Sequence, residues 1–208
     1  MKKIIYSNYL IKIVLILGGI FFSIPTIMNK DLYGSLIRIS IILLALLPDI
    51  LRKRNIKITE KIEFIYLLLL FTAHFLGSIV NLYHKISWYD TLVHYISGLI
   101  VCLFGYFIYI KGKGSKNKYL EFLFLLSFSA LVAFFWESFE FIFDQLFGKD
   151  AQNVKTTGVV DTMEDMIVAL LGTFTVQICA YLEKKYDKKL FISHFIQEMH
   201  VVYGKSIE

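Results

Sequence analysis

Acidic and imidazole side chains recur at helical spacing near the ends of apolar segments of this chain. Asp90 and His94 are four residues apart, which places both on one face of a helix. A later apolar segment has acidic residues at i, i+3 and i+7, within an arc of about 60° on a helix that advances by about 100° per residue. These residues are Glu137, Glu140 and Asp144. Ionisable groups are costly in lipid, by about 2.5–3.5 kcal/mol each on insertion scales, so each one needs a partner or a purpose.

Two further segments carry groups of the same kind. Asp161 and Asp165 repeat the four-residue spacing, and His74 and Asn81 form a polar stripe in another apolar segment, while Arg38 is embedded in the second one. If the carboxylates face one cavity, their mutual repulsion is relieved either by protonation or by binding cations. Carboxylates together with imidazole suit Zn²⁺, Mn²⁺ or Fe, whereas carboxylates alone suit Mg²⁺ or Ca²⁺.

The sequence therefore predicts a divalent metal site, with Zn²⁺, Mn²⁺ or Fe favoured and Mg²⁺ as the alternative. The predicted metal ligands are Asp90, His94, His74, Asp161 and Asp165. The predicted catalytic residues are Glu137 and Glu140. The predicted substrate-binding residues are Arg38, Asn81 and Asp144. Structural interpretations stand beside these roles, because a lone membrane histidine often links helices by a hydrogen bond and an arginine can reach the interface.

These side chains need a membrane-spanning frame in order to converge. Of the 208 residues 57% are hydrophobic, and the mean hydropathy of +0.62 does not fit a water-soluble core. Runs long enough to cross a hydrocarbon layer of roughly 30 Å occur at residues 10–28, 32–51, 62–83, 88–110, 119–147 and 159–182. The expected fold is an all-α bundle of six transmembrane helices. The first run is expected to be a retained span and not a cleaved signal peptide.

The basic residues predict the orientation of the bundle. The N-terminal segment with Lys12, the second and fourth loops and the tail together hold 17 of the 22 Lys and Arg residues. By the positive-inside rule both termini then face the cytoplasm, and all the polar stripes lie in the outer half of the bilayer. Residue usage is typical of an AT-rich bacterial genome, which indicates the bacterial cytoplasmic membrane. The tail, residues 186–208, is either an amphipathic helix along the interface or a loose segment.

Three short motifs carry a resemblance to a known family. Residues 88–94 read Trp-Tyr-Asp-Thr-Leu-Val-His, residues 136–140 read Trp-Glu-Ser-Phe-Glu, and residues 161–165 read Asp-Thr-Met-Glu-Asp, followed by Gly172. In these motifs the chain resembles the YjdF-like family of small bacterial membrane proteins, over roughly residues 74–172. That family implies a membrane protein and no particular activity.

A weaker similarity is to VanZ-like proteins. Their pattern has Asp-x-x-x-His at the start of a span, a later Glu, and Asp-x-x-x-Asn-x-x-Gly in the final span. Ala169 stands where that pattern has Asn, so a role that needs the amide does not carry over. Because VanZ-like proteins are associated with glycopeptide resistance, the similarity implies a role at the cell envelope.

Several classes of function are not expected. The net charge of +5 comes from lysines in short loops, which does not match a nucleic-acid-binding face. Cys102 and Cys179 lie inside apolar runs and are expected to be packing residues. The sequence has no Walker motif and no nucleophile-elbow motif.

Two functions fit the pattern. The first is a metal-dependent enzyme that acts on the head group of an outer-leaflet lipid or envelope precursor, with a metal-activated water as nucleophile and Glu137 or Glu140 as proton acceptor. The second is a cation- or proton-coupled permease or an envelope immunity factor, which needs a polar path to the cytoplasmic side. The expected partners are membrane lipids and a lipid-linked or small-molecule substrate, and homo-oligomerisation stays open. A purely structural role for the cluster is the third interpretation.

Overall fold

The computed structural model describes residues 2–203, and the protein is 84% helical with no β-strand in this part of the chain. Six helical spans are long and apolar enough to cross a membrane, which confirms the predicted all-α membrane fold. The spans are Lys3–Met28, Leu32–Lys53, Glu60–Ile79, Tyr89–Lys111, Lys118–Phe147 and Val160–Lys185.

The helices follow one another through short connections. They are α1 (Lys2–Met28), α2 (Leu32–Lys53), α3 (Glu60–Leu69), a π-helical segment (Leu70–Ile79), α4 (Leu82–Lys85), α5 (Tyr89–Lys111), α6 (Lys118–Phe147), α7 (Val154–Thr157), α8 (Val160–Lys185) and α9 (Phe191–Tyr203). Polar side chains begin several of them by accepting a backbone N–H that has no partner in the first turn. Asp31 does this for α2, Thr59 for α3 and Asn117 for α6.

The third span ends at Ile79, four residues before the end of the predicted run 62–83. Asn81 adopts a left-handed backbone conformation with φ of 68°, which breaks the helix. The hydrophobic pattern continues through Leu82 and Tyr83, so it does not mark this break. As a result Asn81 lies in an exposed turn and not within the span.

The contacts divide the chain into two compact units, with the boundary between Val93 and His94 inside the continuous helix α5. In the N-terminal unit, α1 packs against α2, α3 and the π-helical segment. Its core consists of Leu15, Ile41, Ala45, Leu67, Leu70 and Ile79.

In the C-terminal unit α6 packs against α8, and α9 packs against the end of α8. The inner face of α9 repeats at helical spacing, and its buried residues are Ile192, Phe195, Met199 and Tyr203. The ring of Tyr203 lies 4.8 Å from the ring of Phe107 on α5, centroid to centroid. The tail therefore contains a docked helix up to Tyr203, and residues 204–208 lie outside the described part.

Many large apolar side chains point outward from the spans of both units. Leu17 on α1 and Phe135 on α6 are 61% and 60% exposed. Such side chains are unfavourable in water but are expected where helices face lipid. The burial pattern therefore agrees with six membrane spans.

Candidate metal centre

Two small residues allow α5 and α8 to approach closely. A Cβ atom added to Gly98 would overlap the backbone carbonyl of Ala169, and one added to Gly172 would overlap the carbonyl of Tyr95. Small residues at such positions are how membrane helices gain close packing. The hydroxyl of Thr173 donates to the Gly98 carbonyl at 3.2 Å and adds a link between the two helices.

One turn before this contact, His94 and Asp165 meet. His94 is four residues before Gly98, and Asp165 is four residues before Ala169. His94 Nε2 lies 3.6 Å from Asp165 Oδ2, and the two residues are 8% and 5% exposed. This distance is too long for a good hydrogen bond. The pair is therefore a buried juxtaposition of an imidazole and a carboxylate, both of them metal-ligand types.

Asp90 belongs to the first turn of the same helix α5, one turn before His94. One ligand atom from each of Asp90, His94 and Asp165 lies within 4.8 Å of the others. Donors at about 2.0–2.2 Å from a tetrahedral Zn²⁺ lie roughly 3.4 Å apart, so modest side-chain rotation would bring the three into range. All three were predicted as metal ligands from the sequence.

The other two predicted ligands do not belong to this group. Asp161 Oδ2 accepts a hydrogen bond of 2.9 Å from Asn153 Nδ2 in the loop before α8. His74 Nε2 lies 2.9 Å from the carbonyl of Ile37 and 3.1 Å from Ser40 Oγ, both on α2. His74 thus links the third span to α2, which is the structural interpretation of a membrane histidine.

The predicted catalytic residues lie on α6 in the C-terminal unit. Glu137 is 5% exposed, and its Oε2 atom accepts a hydrogen bond of 3.3 Å from Gln152 Nε2. The same Nε2 atom donates to the Glu137 backbone carbonyl at 3.1 Å. Glu140 lies one turn further along the helix and is half-buried.

Gln152 is a contact that sequence reasoning missed. It is 7% exposed although it belongs to the loop that follows α6. No spacing rule connects a loop glutamine to a glutamate fifteen residues earlier, so only the fold reveals the pair. The loop residue thereby fixes the orientation of the buried Glu137 carboxylate.

The predicted substrate-binding residues have local partners. Asp144 accepts backbone N–H bonds from Ala151 at 2.8 Å and from Gln152 at 3.2 Å, so it anchors the loop after α6. Arg38 Nη1 donates to the carbonyl of Gly34 on its own helix at 2.9 Å. Their substrate-binding roles, like that of Asn81, stay predictions from the sequence.

A second buried cluster, which the sequence did not predict, lies where α1, α2 and α3 meet. Glu63 is 2% exposed, and its two carboxylate oxygens lie 2.8 Å from Lys12 Nζ and 2.8 Å from Arg52 Nη2. Lys12 also contacts Asp49 at 2.7 Å, and Arg52 contacts Glu60 at 3.2 Å.

Asn8 completes this ion-pair network by donating from Nδ2 to Glu60 Oε2 at 3.2 Å and to Glu63 Oε2 at 3.4 Å. Lys12 was counted among the basic residues that set the orientation. Its depth in the first apolar run, matched by Glu63 in the third, is the signal that could have revealed the pair.

The fold and the six spans define a polytopic helical membrane protein. The family described as "Predicted membrane protein (DUF2238)" matches residues 9–186, and the chain belongs to this family. The match includes the first two spans, which the resemblance to YjdF-like proteins had not covered. That resemblance is consistent with this family, whereas the similarity to VanZ-like proteins is not shown.

A relative in the bacterium Thermotoga maritima is an uncharacterised protein that is 31% identical over 117 residues. The alignment covers 52% of this chain and 56% of the relative, so the chain spans about half of the relative's length. No solved structure matches the chain.

Proposed function

We propose that this protein is a metal-dependent membrane enzyme that acts on the polar head group of an outer-leaflet lipid or envelope precursor. The single observation that carries the proposal is the group formed by Asp90, His94 and Asp165. Carboxylates and an imidazole gathered in one confined site are typical of functional centres.

Two carboxylates and one imidazole suit Zn²⁺, Mn²⁺ or Fe, with Mg²⁺ as the alternative. Three protein ligands are also the number that catalytic zinc sites use, because a further position must stay open for water or substrate. A bound divalent ion would polarise a phosphoryl or carbonyl oxygen and make a water molecule acidic near neutral pH.

The residues of the C-terminal unit supply the remaining roles. Glu137 is the proposed proton acceptor, because its carboxylate is buried and held by Gln152 at 3.3 Å. Glu140 is the second proton acceptor on the same helix. Asp144 and Asp161 hold the loop that covers this end of α6 and α8, through Ala151, Gln152 and Asn153.

The proposed setting is the cytoplasmic membrane of a bacterium, with both termini inside. The basic loops support this orientation through the positive-inside rule, and the Thermotoga relative supports a bacterial source. Asp90 and Asp165 then lie near the outer surface, because α5 and α8 both run from that surface inward. An outer-leaflet head group is therefore the substrate class within reach.

The second candidate is a proton- or cation-coupled permease. Buried polar side chains continue along the C-terminal unit beyond Asp165, at Thr173, Gln177 and Ser129, which are 0%, 8% and 2% exposed. Gln177 Nε2 and Ser129 Oγ have no hydrogen-bond partner among the described residues. A Gln177→Leu variant that abolishes ion flux into vesicles but keeps bound metal would favour this candidate.

The proposal is tested by elemental analysis of the purified protein. We expect close to one Zn, Mn or Fe per chain in the wild type and a marked loss in Asp90→Ala. Glu164→Ala is the matched control, because Glu164 is an exposed acid beside Asp165, and it should keep its metal. If the folded wild-type protein takes up none of the four metals Zn, Mn, Fe and Mg, the proposed function is excluded.

A further inference from the structure

The end of α8 and the start of α9 form a surface that combines lysines with exposed apolar groups. Its lysines are Lys184, Lys185, Lys188 and Lys189, all exposed. Its apolar and aromatic members are Tyr181, Tyr186, Leu190 and Phe191, which are between 61% and 63% exposed. We call these eight residues the C-terminal basic surface.

Buried contacts hold this surface in a fixed conformation. Glu183 is 7% exposed, and its carboxylate accepts backbone N–H bonds from Ile192 at 3.3 Å and Ser193 at 2.8 Å. It thereby satisfies the first turn of α9, where N–H groups have no partner within the helix. Phe195 and Met199 are 2% and 0% exposed and anchor the rest of α9. The segment that joins α8 to α9 and carries the lysines is therefore anchored at both of its ends.

The position of the surface along the membrane normal follows from the sequence of α8. Its apolar run ends at Leu182, so the lysines follow within seven residues and reach the head-group level. Lys185 Nζ lies 6.0 Å from the ring of Tyr181 and 5.6 Å from the ring of Tyr186, centroid distances within cation–π range. Tyrosines with this exposure are typical of the membrane–water interface.

We propose that the C-terminal basic surface binds anionic phospholipid head groups, with Leu190 and Phe191 entering the boundary of the acyl chains. The segment carries four exposed lysines and one exposed acid, Asp187, so its net charge is positive and complementary to an anionic lipid. An apolar rim beside a basic patch adds the second attraction that amphipathic membrane-binding segments use. The inference does not depend on the metal site.

Lysines on this side also follow from membrane topology alone, so the test must separate a defined site from general attraction. The loop between α5 and α6 provides the control, because Lys113 and Lys116 are exposed in a polar stretch on the same basic side. Lys185→Gln with Lys188→Gln removes the same charge as Lys113→Gln with Lys116→Gln.

The measurement is the binding of phosphatidylglycerol and phosphatidylcholine to the purified full chain by native mass spectrometry. We expect phosphatidylglycerol to bind more tightly, and the variant at Lys185 and Lys188 to weaken it by about tenfold or more. The variant at Lys113 and Lys116 should weaken it by less than about threefold. Equal losses in both variants, or equal binding of the two lipids, would overturn the proposal.

Two measurements keep the test decisive if the lysine variant fails to fold. Added salt should weaken phosphatidylglycerol binding to the wild type, because exposed charges are screened. Phe191→Ser keeps every charge and should weaken the binding of both lipids, since it removes only the apolar contact. Salt-independent binding with no effect of Phe191→Ser would also contradict the proposed surface.

Discussion

The two buried polar clusters of this protein differ in how their charges are balanced. In the N-terminal unit, Glu63 lies 2.8 Å from both a lysine and an arginine. The neighbouring Asp49 contacts both of these cations, and Glu60 contacts the arginine. In the C-terminal unit, the contact of Asp165 with His94 is 3.6 Å long and pairs a carboxylate with an imidazole whose charge depends on pH.

This difference indicates that the two clusters have different roles. A network with fixed cations is suited to holding α1, α2 and α3 together, because the buried Glu63 carboxylate has two permanent cationic partners. A cluster of acids with imidazole consists of the side-chain types that bind divalent cations, and functional sites often sacrifice stability for function. Variants of each cluster should therefore fail in different ways.

The largest effect is expected for Glu63→Gln. The substitution keeps the shape of the side chain but leaves Lys12 and Arg52 partly buried with less negative charge, and breaking a buried pair costs about 3–5 kcal/mol. Thermal unfolding in detergent should show a strong loss of stability. Glu121→Gln, which breaks the exposed pair with Lys118, is the control and should cost about 0–1 kcal/mol. Equal stability of the two variants would remove the distinction between the clusters.

Asp165→Asn should lose metal affinity and keep its stability. Loss of a ligand should lower metal affinity by more than about 100-fold, since even residues that only orient ligands contribute 10–100-fold. In the presence of a chelator the variant should be at least as stable as the wild type. Asp90 and Asp165 lie close together, and neutralising one of them removes the repulsion between their carboxylates. Metal titration and thermal unfolding of the same samples check both parts. A variant that binds metal normally but melts early would place Asp165 in the structural class with Glu63.

The apolar patterns were sufficient to predict the six spans. The predicted ligand set also contained Asp161 and His74, and the structure groups only Asp165 with the two residues on α5. The spans follow from hydropathy alone, and the two residues on α5 follow from four-residue spacing. The pairing of Lys12 with Glu63 could not be predicted, because it depends on which faces of α1 and α3 pack together.

The sequence pattern also did not predict the backbone conformation of Asn81 or the contact made by the loop after α6. Asn81 ends the third span by adopting φ of 68°, although apolar residues continue beyond it. Gln152 reaches Glu137 only because its loop folds back along α6. Hydrophobic periodicity reports which face of a helix is apolar. It contains no information on where the backbone leaves the helical conformation or where a loop folds back on a helix.

Gly98→Ala should test whether the packing of α5 on α8 positions the metal ligands. A Cβ at this position would overlap the Ala169 carbonyl, and overpacking of a close contact costs about 1–3 kcal/mol. We expect lower stability together with weaker metal binding, because His94 is one turn away. Gly148→Ala is the control, since Gly148 has open space around it although its φ is 63°; it should lose about 1 kcal/mol and keep its metal affinity. Normal metal binding in Gly98→Ala would show that this contact does not position the ligands.

The smallest effect is the pH dependence of metal binding, and it separates the two histidines. A metal competes with protons for its ligands, and an imidazole must lose its proton before it can bind a metal. Apparent affinity should therefore fall as the pH drops and the imidazole ligand takes up a proton, by up to about tenfold per pH unit for one proton. His94→Gln should remove this step together with most of the affinity, whereas His74→Gln should keep both, because His74 is engaged with Ile37 and Ser40. If His74→Gln removed the step and His94→Gln did not, the ligand set drawn from α5 and α8 would be wrong, and the comparison between a structural and a functional cluster would have to be redrawn around α2 and the third span.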